Sequence, residues 1–209
     1  MTIELTNPST TIHPYKKPTC QELTVDQLHP TQYKTVIAIA NHWSLMAHEE
    51  RKKLALTDPK QNRLKDCENI CWLMSENFDL YEGTSDVEIF ICSDKQRRPQ
   101  AMMTLSATED TLEILKLVTN PWNISSSEPQ KAFPVKGAGK ALVREAINMA
   151  VELNKNTLSL SAYPGAKSFY ESLGFKQTGK ESEAGNIRMF LTAKRTNDLC
   201  NKIKTDLAA

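Results

Sequence analysis

The chain has 209 residues, 40% of them hydrophobic and 24% charged, with a formal net charge of +1. That size and composition suit one soluble globular domain and exclude a disordered chain. The near-neutral balance gives no support to a nucleic-acid or anionic-membrane surface, and no N-terminal apolar run is long enough for a signal peptide or a membrane span.

In chain order, residues 1–19 are rich in Thr and Pro and are expected to be a flexible extension. "CQELTVDQL" from Cys20 reads as a first strand. The next run places Tyr33, Val36, Ile37, Ala40, Trp43 and Ala47 at helical spacing, and Asp58-Pro59 breaks it. A second helix is expected over "LKDCENICWLMSENF", with Leu64, Cys67, Cys71 and Phe78 along one side. Trp43 and Trp72 in these helices are expected in the core.

The period then changes. "DVEIFICSD" alternates Val87, Ile89 and Ile91 against Glu88, Phe90 and Cys92. "AMMTLSAT" and "TLEILKLVT" are two further strand candidates with short links, so the three read as an antiparallel meander. A polar, proline-punctuated loop follows to residue 135. The helix after Gly137 carries an apolar stripe of Leu142, Val143, Ala146, Ile147, Ala150 and Val151. "NTLSLSAYP" is a strand ended by Pro164, and "AKSFYESLGF" a short helix stopped by Gly174. Two final strands form a hairpin around "EAGN", and the tail from residue 196 adds a short helix. The predicted order is β-α-α-β-β-β-α-β-α-β-β, a mixed α/β layer protein without the regular alternation of a doubly wound nucleotide fold.

Five cysteines, Cys20, Cys67, Cys71, Cys92 and Cys200, are odd in number and irregularly spaced. They read as reduced thiols of a cytoplasmic protein. Cys67 and Cys71 have no ligand-spaced partners, and the four histidines make no HExxH pattern, so no metal is expected.

The chemistry concentrates in "PVKGAGKAL", residues 134–142. A P-loop fails, because Pro134 stands where its first glycine belongs and Ala141 follows Gly139-Lys140 where a hydroxyl is needed. A dinucleotide-binding loop fails, because Leu142 occupies the third glycine position and no strand directly precedes it. What remains is a helix start with exposed N–H groups at Gly137 and Gly139, flanked by Lys136 and Lys140. That arrangement suits a diphosphate. The alternative is a glycine-loosened helix entry with no ligand.

"VKGAGKAL" after a β-meander resembles the acetyl-CoA loop of the GNAT N-acetyltransferase family, and "AKSFYESLGF" resembles that family's later tyrosine-bearing helix. The element order over residues 20–195 is similar too. Pro134 and Tyr163 stand where the family pattern has Gln or Arg and Asn. The resemblance implies a GNAT fold, with a central, mostly antiparallel sheet flanked by helices, in one domain over 20–195 and a tail over 196–209. It implies acetyl-CoA as co-substrate. The pantetheine arm would lie on Leu117, Val118 and Thr119, and the diphosphate on Val135, Lys136, Gly137, Ala138, Gly139, Lys140 and Ala141. An amine acceptor, small molecule or protein, would attack the thioester directly, with the chain a monomer or homodimer. Tyr170 would protonate the leaving thiolate, facing the cofactor while Phe169 and Leu173 face the core. Glu113 would be the general base, with Glu88 as an alternative. The helices over 30–80 and the loop over 120–135, with Trp122 and Glu128, would form the acceptor pocket. Two other readings stay open: an acyltransferase using a different acyl-CoA, and a CoA-binding module of the same fold without turnover.

Overall fold

The structure, a computed structural model, describes residues 23–29, 32–76, 87–125, 135–181 and 185–208. The expected N-terminal extension, Cys20, Phe78, and Glu128 and Pro134 of the long loop lie outside the described residues.

The elements run β1 (Thr24–Gln27), α1 (Tyr33–Lys52), α2 (Lys60–Glu76), β2 (Val87–Ser93), β3 (Pro99–Ala107), β4 (Thr111–Thr119), α3 (Trp122–Ser125), α4 (Ala138–Glu152), β5 (Thr157–Ala162), a turn of 3-10 helix (Pro164–Ala166), α5 (Lys167–Ser172), β6 (Lys176–Glu181), β7 (Ile187–Thr192) and α6 (Ala193–Ala208). This is the expected order with α3 added inside the loop after β4. The C-terminal helix is also longer than expected: α6 runs for 16 residues, and its Cys200 and Ile203 are buried in the core.

Local chemistry explains the junctions. Asp58 accepts the Lys60 N–H at 2.8 Å and so starts α2. Gln61 reaches back to the carbonyls of Arg51 and Leu54, both at 2.9 Å, and closes the end of α1. In α4, small Ala138, Ala146 and Ala150 alternate with Leu142, Val143 and Ile147 on the buried face. Each of the larger three contributes on the order of 1.5–3 kcal/mol by burial.

Among the described residues, seven strands form one sheet in the order β1-β2-β3-β4-β5-β7-β6. Neighbours are antiparallel except β4 and β5, which are parallel. On one face lies a core built by α4, α6 and α5 with Phe90, Met103, Leu105, Leu112, Ile114, Leu158 and Leu160. On the other, α1 and α2 cover Ile89, Ile91, Met102 and Val118. The central strands are therefore buried on both sides, and Phe90 and Cys92 are as buried as Ile89 and Ile91. Trp43 enters the α1–α2 core as expected, but Trp72 is 55% exposed. It stands one residue past Cys71, about 100° round the helix from the buried stripe of Leu64, Cys67, Cys71 and Met74. Among the described residues, no helix is long and apolar enough to cross a membrane.

Candidate active site

The site begins where two strands part. The β4–β5 ladder pairs only residues 111–114 with 157–160. At the same level β4 carries a bulge against β3: Leu105 pairs with Ile114 and Thr104 with Lys116, which leaves Leu115 as the extra residue. A bulge bends its strand and adds local twist. Beyond it, Leu117, Val118 and Thr119 have no strand beside them on the β5 side among the described residues.

The bulge also decides which side chains face the opening. Leu117 and Thr119 share the α4 face with Leu112 and Ile114. Glu113 pairs with Ser106 and Ser159 on the opposite face.

The start of α4 fills the lower end of the opening. Gly137 takes a left-handed conformation with φ 95°, which suits glycine. The helical ladder begins with Ala141, whose N–H donates to the Gly137 carbonyl at 2.8 Å. The N–H groups of Ala138, Gly139 and Lys140 are thus the orphan donors of the first turn. Lys136 and Lys140 are exposed beside them, and the first turn holds no acidic residue. Gly139 lets this turn sit against β4: a Cβ there would stand 3.3 Å from the Thr119 methyl and 3.6 Å from Leu117 Cδ2.

α5 closes the side of the opening. Tyr170 is only 6% exposed and packs edge-on against Phe169 and Phe175, with centroids 5.0 and 5.7 Å apart. Burial raises its phenol well above the ordinary value, so it stays protonated. The expected division on α5 is reversed in burial, since Phe169 and Leu173 are only partly buried and Tyr170 is buried. Both Phe169 and Tyr170 line the opening nonetheless.

These pieces enclose a cleft of about 670 Å³. Leu117, Val118, Thr119, Val135, Lys136, Gly137, Ala138, Gly139, Lys140 and Tyr170 all line it. Trp122, expected at the acceptor pocket, does not line it, and neither do three of the expected cofactor and catalytic residues. Ala141 points its N–H into the helix, Glu113 lies on the other face of β4, and Glu88 pairs with Leu105 near the start of β2, its Oε2 buried without a hydrogen-bond partner among the described residues. A further wall comes from residues that the sequence reading did not name for the site, most of them within the helices over 30–80 and the loop over 120–135 that it assigned to the acceptor pocket. Asp66, Cys67 and Ile70 of α2, Asn123 of α3, and Tyr163 after β5 line the same cleft. Cys67 sits on the apolar stripe of α2, and its Sγ donates to the Thr119 carbonyl at 3.5 Å, joining α2 to the end of β4. Its thiol is pushed well up by hydrogen bonding with Cys71 and by burial.

Comparison with known proteins agrees with this geometry. Residues 130–195 match the family model described as "Acetyltransferase (GNAT) domain". That span holds the start of α4, Tyr163 and Tyr170. No curated protein sequence matches the chain significantly. Solved structures superpose over most of it. The PaiA N-acetyltransferase of Thermoplasma acidophilum in complex with coenzyme A is 14% identical with a TM-score of 0.51, covering 81% of this chain and 98% of its own. The spermidine N-acetyltransferase of Vibrio cholerae in complex with CoA and spermine is 16% identical with a TM-score of 0.53, covering 85% and 99%. The chain thus has the GNAT fold, and its residues 130–195 match the GNAT acetyltransferase domain model.

Proposed function

We propose that this chain moves the acetyl group of acetyl-CoA to a primary amine by direct attack of the amine on the thioester. One observation carries the proposal. The orphan N–H groups of Ala138, Gly139 and Lys140 open onto the same cleft as the free edge of β4 and the Tyr170 phenol.

A helix start with uncovered N–H groups and two lysines favours the diphosphate. The edge at Leu117, Val118 and Thr119 offers backbone groups to the amides of a pantetheine arm, as a sheet edge does to an added strand. Val135 is buried and fixes the entry to the turn. As the C–N bond forms and the C–S bond breaks, the leaving sulfur takes the phenolic proton of Tyr170. A protonated phenol at that point is the state a general acid needs. The reaction requires no acyl group on the protein. We place it in the cytoplasm, where acetyl-CoA is available and the buried thiols Cys67, Cys71 and Cys200 stay reduced.

Spermidine is a first acceptor to try, because one structural neighbour is a spermidine N-acetyltransferase. The test is CoA release from acetyl-CoA with a panel of primary amines, alongside the CoA dissociation constant. Amine-dependent release supports the proposal. CoA binding without release above hydrolysis would make the chain a binding module, and faster release from a longer acyl-CoA would change the donor.

A further inference from the structure

An ammonium acceptor needs a group that holds its charge and takes its proton, and the residue that the sequence nominated, Glu113, is not in the cleft. Among the described residues lining the cleft, Asp66 is the only carboxylate. It stands on α2 beside Cys67, whose thiol is tied to the Thr119 carbonyl at the end of β4. This turn of α2 therefore lies against the end of the strand edge proposed for pantetheine. The Asp66 Oδ2 reaches the turn after β5, 3.7 Å from where a Cβ on Gly165 would stand. That turn leads into α5, which carries Tyr170.

We infer that Asp66 receives the acceptor amine: it binds the ammonium, takes its proton and releases the neutral amine for attack. This rests on the acetyl transfer proposed above. The step balances. One ammonium proton goes to the Asp66 carboxylate. The nitrogen lone pair forms the C–N bond, the C–S electrons leave on sulfur, and sulfur takes the Tyr170 proton. The extra proton on the acylated nitrogen then returns through solvent to the Tyr170 phenolate, and Asp66 releases its proton to solvent.

The surroundings suit this role. Burial raises the Asp66 carboxyl and nearby Lys65 lowers it, with burial the larger effect. Tyr163 faces it from beyond β5, and its own phenol is raised by burial and by the Asp66 charge. Cys67 adjoins Asp66 on α2, while Arg63, Lys136 and Lys140 line the same cleft as cations. A carboxyl raised above its ordinary value takes a proton from an ammonium better than an ordinary one.

The experiment compares the unaltered chain with Asp66→Asn and Asp66→Glu, using acetyl-CoA with spermidine, n-butylamine and a wider set of primary amines across pH. Asp66→Asn should lower kcat/KM for the amine by about 10²-fold or more, a general base's usual contribution, and change the CoA dissociation constant by less than about threefold. The bend in the rate on the acid side, where Asp66 takes up its proton, should be replaced in Asp66→Asn by a steady fall of about tenfold per pH unit that follows the neutral-amine fraction, and should return in Asp66→Glu. Unaltered kcat/KM with the acid limb intact overturns the inference. So does an equal loss of CoA affinity, which would make Asp66 a cofactor or scaffold group. If the unaltered chain releases no CoA with any amine, the transferase reading fails and the inference with it.

Discussion

The backbone N–H of Val135 donates to the side-chain oxygen of Asn123 at 2.7 Å, and this bond ties the entrance of the α4 turn to the interior of the sheet. Asn123 in turn donates to the Gln100 side-chain oxygen at 3.3 Å, and Gln100 donates to Asp94 at 3.1 Å. Burial works to raise the Asp94 carboxyl, but its hydrogen bonds from Arg98 and Gln96 outweigh that and hold it below the usual range. The first glycine of the turn, Gly137, is thus two residues from a chain of polar contacts that ends at a buried charge.

Asn123→Ala should remove that tie. It leaves the Val135 N–H without its partner and costs about 1–3 kcal/mol of stability, the usual penalty for a buried donor left unmade. Because the turn is no longer held, CoA affinity should fall by about threefold to tenfold. Thermal melting and calorimetric CoA titration check the two effects. Lowered stability with unchanged affinity would show that the turn keeps its shape without Asn123.

Gly139 has a packing reason to be glycine. An alanine in a helix ordinarily gains up to about 1 kcal/mol over glycine. Here its Cβ would press on the Thr119 methyl at 3.3 Å. Gly139→Ala should therefore destabilise, by about 1 kcal/mol. Thr119→Ser in the same chain removes the methyl and should restore most of the loss, a coupling of roughly 0.5–1 kcal/mol in a double-mutant cycle. Gly139→Glu should weaken acetyl-CoA binding more than about tenfold. No coupling between positions 119 and 139 in the cycle would refute the contact.

Tyr170→Phe separates the acid from the wall. The ring stays, so its edge-on contacts with Phe169 and Phe175 survive. A donor to the leaving sulfur acts only as the C–S bond breaks, so kcat should fall about 10²–10³-fold while the CoA dissociation constant moves less than about threefold. Lost CoA affinity with kcat intact would make Tyr170 a wall of the site.

The same phenol makes a stability prediction. Its folded pKa is raised above the unfolded value of about 10. The folded state therefore holds its proton where the unfolded chain has lost one, and the slope of stability with pH is negative in that window. The contribution is whole below pH about 10 and is lost as the pH rises towards the folded value. Denaturant melts between pH 9 and pH 11 should show a steeper decline for the unaltered chain than for Tyr170→Phe. Parallel declines would mean that the ring is not desolvated in solution.

Element types and order were legible because period and punctuation are strong in this chain: helical spacing through Tyr33 to Ala47, strand runs from Val87, and Pro164 and Gly174 as stops. The side-chain faces were less so. Counting back by twos from Leu117 puts Glu113 on the cleft side, and only the three-dimensional pairing shows that Leu115 is an extra residue that reverses the count. A bulge has no residue type that declares it. Trp72 misled for a related reason, since hydrophobicity says that a residue favours burial and not which angle of the helix it occupies. Asp66 and Asn123 carried no motif. Each gains its meaning from segments far along the chain, Asp66 from the turn at Gly165 and Asn123 from Gln100 and Val135.

The brief β4–β5 ladder also has a mechanical meaning. Four residues of each strand, 111–114 and 157–160, join the half-sheet β1–β4 to the half-sheet β5–β7–β6. α4 lies across this seam and touches β1, β2, β3 and β4 on one side and β5 on the other. A load that pulls the halves apart is therefore carried by a short hinge of strand, by the α4 strap, and by the bonds from Lys155 and Asn156 to the β3–β4 turn at Thr108, Glu109 and Asp110. The helix whose first turn offers its N–H groups to an anion is also the beam that keeps the two plates aligned, so an anion gripped at its tip stiffens the joint as well as occupying it.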